Sequence, residues 1–144
     1  MTERLVADAA AMAELGAALA HCVRPPAVIA LEGPLGAGKT TLVRAILRGL
    51  GYRGAVRSPT YTLIESYEFG AWVVHHLDLY RLGDPEELEF LGVRDLATDN
   101  AIWLVEWPGR GGDRLPPIDR TIRIEYADSG RRVSGLPPGV ASPC

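Results

Sequence analysis

An α/β fold is predicted by three features of the sequence. A short apolar run, AVIALEG at 27–33, opens into a glycine-rich loop. The segment after the loop, TTLVRAILRGLG, places Leu42, Ile46 and Leu47 on one helical face. A second apolar run, AIWLVEW at 101–107, has the length and composition of a buried strand. Strand, loop and helix in immediate succession, followed later by another apolar strand, is the order from which parallel sheets are built.

The remaining elements follow in chain order. ADAAAMAELGAALAHCV, rich in alanine and leucine, predicts a helix over 9–22 with Asp8 as its cap and Pro25-Pro26 beyond its end. After the second helix, TYTLIESYEF and WVVHHLDLY are rich in aromatic and β-branched residues, and Gly70 between them predicts a hairpin. DPEELEFLG reads as a short helix with Asp84 and Pro85 at its start and Gly92 after its end. TIRIEY and RRVSG flank the turn-like ADSG, predicting an antiparallel edge hairpin. The proline-rich end has few apolar residues, so one domain at 1–133 followed by a disordered tail at 134–144 is expected.

Composition excludes several classes. With 47% apolar and 23% charged residues the chain can bury a full core. A net charge of −3 argues against a protein that carries nucleic acid unaided, because phosphate backbones are bound largely through positive charge. Cys22 and Cys144 form neither a zinc spacing nor a disulfide framework, which fits a reduced compartment. No apolar run approaches the ~20 residues of a membrane span and no signal-peptide pattern opens the chain, so it reads as cytoplasmic.

The loop GPLGAGKT contains Lys39, the one lysine among 15 basic residues. Elsewhere arginine supplies positive charge; a tight backbone loop instead requires a compact ammonium on a thin stem, because a guanidinium fork is too wide. Gly33, Gly38, Lys39 and Thr40 fit GxxxxGK[ST]. In that pattern backbone N–H groups wrap phosphate oxygens, the lysine reaches the β- and γ-phosphates, and the hydroxyl holds Mg2+. The following helix N-terminus adds its dipole.

What happens to a bound nucleotide depends on acids elsewhere. Asp78 lies towards the end of HHLDLY, where strand alternation puts His76 on its face and His75 on the other. Ligands collect beyond the carboxyl ends of parallel strands, so Asp78 is a candidate for Mg2+. The two histidines, on opposite faces, read as structural. Glu106 ends an apolar strand where a carboxylate has no packing role, which suits a residue that orients water or binds metal. Glu32 precedes the loop as a supporting residue, Trp72 and Trp103 read as core, and Trp107 reads equally as core or as a neighbour of the nucleotide. Thr60, in the SPTYT loop, is a candidate switch residue for Mg2+. With no NKxD motif, ATP is favoured over GTP.

LEGPLGAGKTTL, VRSPTYTLIESY, HHLDLYRL, PEELEFLGVRD and IWLVEWP, in this order and spacing, resemble the bacterial TsaE (YjeE) ATPase family of tRNA threonylcarbamoyladenosine biosynthesis over residues 3–133. The resemblance implies a three-layer P-loop NTPase with a mixed, mainly parallel sheet, and Mg2+-dependent ATP hydrolysis that is weak until TsaB and TsaD join. tRNA is then met through the complex rather than by this chain alone, and the isolated chain is expected to be a monomer. By position, Gly36, Ala37, Gly38, Lys39, Thr40 and Thr41 surround the phosphates, and Thr40, Asp78 and Glu106 serve metal and water. Thr60 lies in the switch loop, and Arg131 approaches the nucleotide. The chain departs from the family at Met12, where relatives often carry threonine or serine near the adenine. PEELEFLGVRD is a candidate partner surface, and a solvated helix explains it as well. Two other classes would use the same loop: a small-molecule kinase with its acceptor site in HHLDLYRL, and a module in which nucleotide binding alone is the signal.

Overall fold

The computed structural model describes residues 2–59 and 62–140. They divide into two compact units, one drawn from Met1–Val23, Glu32–Val56 and Ile122–Cys144, the other from Arg24–Leu31 and Arg57–Thr121.

The first unit holds the two long helices, α1 (Ala9–Cys22) and α2 (Lys39–Leu50). Helix α1 starts where the sequence places it: Asp8 is extended, and its Oδ1 accepts from Ala11 N at 2.9 Å, satisfying a donor that the first turn leaves open. Met12, Leu15, Leu19 and Ala20 form its buried face, against which α2 turns Leu42, Val43, Ile46 and Leu47.

Three antiparallel strands complete this unit: β1 (Thr2–Val6), β6 (Arg120–Ala127) and β7 (Gly130–Leu136), the last lying between the other two. The β6–β7 hairpin matches the sequence expectation, but its outer side is covered by β1, for which the sequence offers no distinct signal. The register sets Val6 opposite Arg131. Strand β7 continues through Ser134 to Leu136, past the boundary expected at 133, and Leu136 and Val140 are buried. Apolar side chains spaced through the proline-rich segment thus pack where composition alone indicates a tail.

The second unit is built on β2 (Ala27–Glu32), whose last residue already belongs to the first unit, with β3 (Ile64–Phe69), β4 (Trp72–Asp78) and β5 (Ala101–Glu106). Strands β2 and β4 pair with β5 in parallel, one on each side, and β3 pairs with β4 antiparallel as the predicted hairpin. Every residue of β5 is buried, as expected for a strand covered on both faces. Asp119 clips the start of β2: its Oδ2 accepts from Val28 N at 2.7 Å while its own N–H donates to Val28 O at 2.8 Å. A core of Leu77, Leu79, Leu82, Leu88, Trp103 and Val105 underlies the short helix α3 (Glu86–Phe90).

Candidate functional site

In the first unit, the loop at 33–38 is shaped by glycines. Gly36 and Gly38 have φ of 78° and 112°, values that L side chains rarely adopt, and a Cβ on Gly33 would stand 2.4 Å from Ile124 O. The chain can therefore coil tightly enough to start α2 at Lys39. Lys39 is 5% exposed, and its Nζ donates to the carbonyls of Gly33 and Pro34. A buried ammonium is costly unless it is hydrogen-bonded and paired with negative charge. It stands at the N-terminus of α2, where the helix dipole favours negative charge.

Arg131, carried on β7, fastens the loop from the side. Its Nε donates to Ala37 O at 3.0 Å, a terminal nitrogen reaches Gly36 O at 3.5 Å, and the guanidinium lies 4.4 Å over the Tyr126 ring. Tyr126 in turn donates its hydroxyl to Leu35 O at 2.8 Å. A cavity of about 260 Å³ opens beside the loop, lined by Val6, Asp8 and Met12 together with Gly38, Thr41 and Arg131. The sequence departure at Met12 therefore lies in the cavity wall as a buried thioether. Glu32 is bound to Arg123 at 2.7 Å in an exposed pair.

In the second unit, register gathers the two acids. Asp78 and Glu106 end adjacent parallel strands and are paired across them, and Glu106 is paired on its other side with Leu31, two residues before Gly33 in the chain. Asp78 Oδ1 accepts from Tyr80 N at 3.1 Å. Glu106 is 3% exposed, its Oε2 is 2.5 Å from His76 Nε2, and its carbonyl accepts from Leu79 N at 3.1 Å. The sequence reading of His76 as structural misses this contact, because only strand register brings together residues 30 positions apart.

His75 conforms to that reading. Its Nδ1 meets Ser66 Oγ at 2.7 Å, it donates to the Leu96 backbone, and its ring meets Trp103 edge-on at 5.6 Å. Burial pushes its imidazole below the ordinary histidine range. Trp107 packs partly against the core and lies 5.0 Å from the Tyr80 ring. It adopts φ 57°, a left-handed conformation uncommon for so large a side chain, directly after Glu106. Thr60 lies outside the described residues.

Among the described residues, no group of three or more His, Cys, Asp or Glu is placed to hold a metal ion. No helix among them is long and apolar enough to cross a membrane.

The family model described as threonylcarbamoyl adenosine biosynthesis protein TsaE matches residues 6–133. The chain belongs to the TsaE family. A curated TsaE of Haemophilus influenzae is 49% identical over 74% of this chain and 67% of its own length, and that of Bacillus subtilis is 39% identical over 85% and 74%. Both are named tRNA threonylcarbamoyladenosine biosynthesis proteins. The crystal structure of YdiB from Bacillus subtilis superposes with a TM-score of 0.72 at 27% identity, over 92% of this chain and 82% of that one. The mixed α/β architecture is thus that of a solved relative, and membership in the TsaE family ties the chain to tRNA modification.

Proposed function

We propose that this TsaE-family chain is the ATP-hydrolysing subunit of a cytoplasmic machinery that makes threonylcarbamoyladenosine next to the anticodon of tRNA, working with TsaB and TsaD. The observation that carries the reading is Lys39: a buried ammonium held by loop carbonyls at the start of α2, in a loop whose glycines adopt the left-handed backbone of a phosphate cradle. In this reading the backbone N–H groups of residues 36–41 bind the phosphates, and Lys39 neutralises charge on the β- and γ-oxygens. Arg131 keeps the loop open to phosphate by occupying its carbonyls, and the cavity walled by Met12 takes the adenosine.

Thr40 and Asp78 would hold Mg2+, with Thr60 contributing from its loop. The ion would supply charge neutralisation at the β- and γ-oxygens when bound. Glu106 orients the attacking water, and its burial keeps the carboxylate from being solvated elsewhere. The negative net charge supports a reading in which tRNA is met through the partners rather than by this chain alone.

Phosphate release from ATP by the full chain, alone and with TsaB, TsaD and tRNA, tests the reading. Strong stimulation by the partners is the expected result. ATP binding with no hydrolysis under any of these conditions would favour a nucleotide-sensing module, and phosphate transferred to a metabolite would favour a kinase.

A further inference from the structure

We propose that His76 is a positioning residue for Glu106, present for its Nε2–H rather than for packing. The inference rests on the reading of Glu106 as the group that orients water. It starts from the contrast between two adjacent histidines that the sequence treats alike. Both rings are buried on β4, but their hydrogen bonds differ. His75 has partners at Ser66 and at the Leu96 backbone. Among the described residues His76, fully buried, has one: Nε2 at 2.5 Å from Glu106 Oε2, while its Nδ1 has no hydrogen-bond partner there.

An orphaned nitrogen in a sealed core is a standing cost. If the position served packing alone, an apolar ring or branched side chain would fill it without that cost. The retained feature is therefore the single donor that meets Glu106. A carboxylate oxygen only accepts, so the 2.5 Å contact makes Nε2 the donor to Glu106. The geometry around Glu106 agrees. Its backbone carbonyl accepts from Leu79 N, its strand neighbours are in register on both sides, and the imidazole fixes the far end of its side chain. A glutamate with three rotatable bonds is held at both ends by β4 and the residue that follows it.

Such a role predicts a loss in turnover rather than in nucleotide affinity, and rescue by a side chain that puts a donor at the same place. Glutamine carries its amide nitrogen near the position of imidazole Nε2; asparagine carries it near Nδ1, too short to reach Oε2. In the phosphate-release assay described above, with the full chain and its partners, His76→Gln should keep kcat within about threefold of wild type. His76→Asn and His76→Leu should lower it about 10- to 100-fold with KM for ATP within about twofold. In a Glu106→Gln background, His76→Leu should change the remaining rate by less than about twofold, because the group it acts through is already altered.

Asparagine as active as glutamine, a loss expressed in KM, or a full additional loss in the Glu106→Gln background would overturn the inference. Cooperative thermal unfolding checks that each variant is folded, and if His76→Leu is not, the Gln and Asn pair decides. A wild type that never hydrolyses ATP refutes the functional reading and this inference together. An active wild type with an undiminished His76→Asn refutes this inference alone.

Discussion

Gly16→Ala tests how closely α1 and the loop-bearing helix α2 must approach. A Cβ on Gly16 would lie 2.2 Å from Ala45 Cβ, 2.9 Å from the Ala45 carbonyl carbon and 3.0 Å from Ile46 N. Nonbonded carbons rest about 3.5–4.0 Å apart, so the helices must separate locally by roughly 1.3 Å. Two of the three clashing atoms are backbone, so no rotamer change relieves them. Overpacking of this kind costs about 1–3 kcal/mol, and the upper half of that range applies where backbone has to move. The helix propensity gained by replacing glycine offsets about 1 kcal/mol. A net loss of about 1–2 kcal/mol follows, read as a lower urea midpoint at unchanged slope for the full chain. Ala45→Gly added to Gly16→Ala removes the shortest contact, so the two changes should be non-additive by about 1 kcal/mol. Because Met12 on α1 and Thr41 on α2 line the same cavity, the separation should also weaken binding of a fluorescent ATP analogue. A variant as stable as wild type would refute the reasoning about the helix contact.

Other expectations concern the site and its supports. Lys39→Ala should lower partner-stimulated phosphate release by at least about 10²-fold, since no other group in the loop carries positive charge at that point. Glu106→Gln should bind ATP within about threefold of wild type while turnover falls by about 10²- to 10⁴-fold, separating binding from hydrolysis in paired titration and kinetic measurements. Asp119→Ala removes the acceptor for Val28 N and should cost about 1–2 kcal/mol in denaturant unfolding. His75 adds a pH dependence. Its folded pKa lies below the ordinary 6.5, so on acidification the unfolded chain takes up the proton first. Its stabilising contribution is full above about pH 6.5 and is lost as pH falls through that value towards the folded pKa. Unfolding midpoints of His75→Gln should therefore fall less steeply than those of wild type below pH 6.5, and parallel curves would refute the assignment.

Much of this protein can be read from sequence because the physics involved is local. Asp8 caps α1, glycines coil the phosphate loop, Leu42 and Ile46 mark one face of α2, and the apolar run of β5 declares its burial within a few residues. Strand β1 could not be read so. TERLV is short, and what makes it a strand is pairing with β7, more than 120 residues away. The continuation of β7 to Leu136 has the same origin, for composition shows prolines but not the partner that Leu136 packs against.

The candidate site divides along the same line. Residues 36–41 announce themselves as a motif, and Asp78 and Glu106 stand out as acids at the ends of apolar strands. Whether two such acids are neighbours is a question of register, and β4 beside β5 settles it by pairing Asp78 with Glu106. The same register turns His76 from one of a pair of buried histidines into the donor that holds Glu106. Arg131 reaches the loop carbonyls only because the fold brings β7 within 3.0 Å of Ala37 O, 94 positions away in the chain. The sequence by itself determined the elements and the phosphate loop, since backbone preference and hydrophobic periodicity act over a few residues. The tertiary structure alone decided which side chains hold the catalytic candidates in place, because hydrogen bonds act over 3 Å in space whatever the distance along the chain.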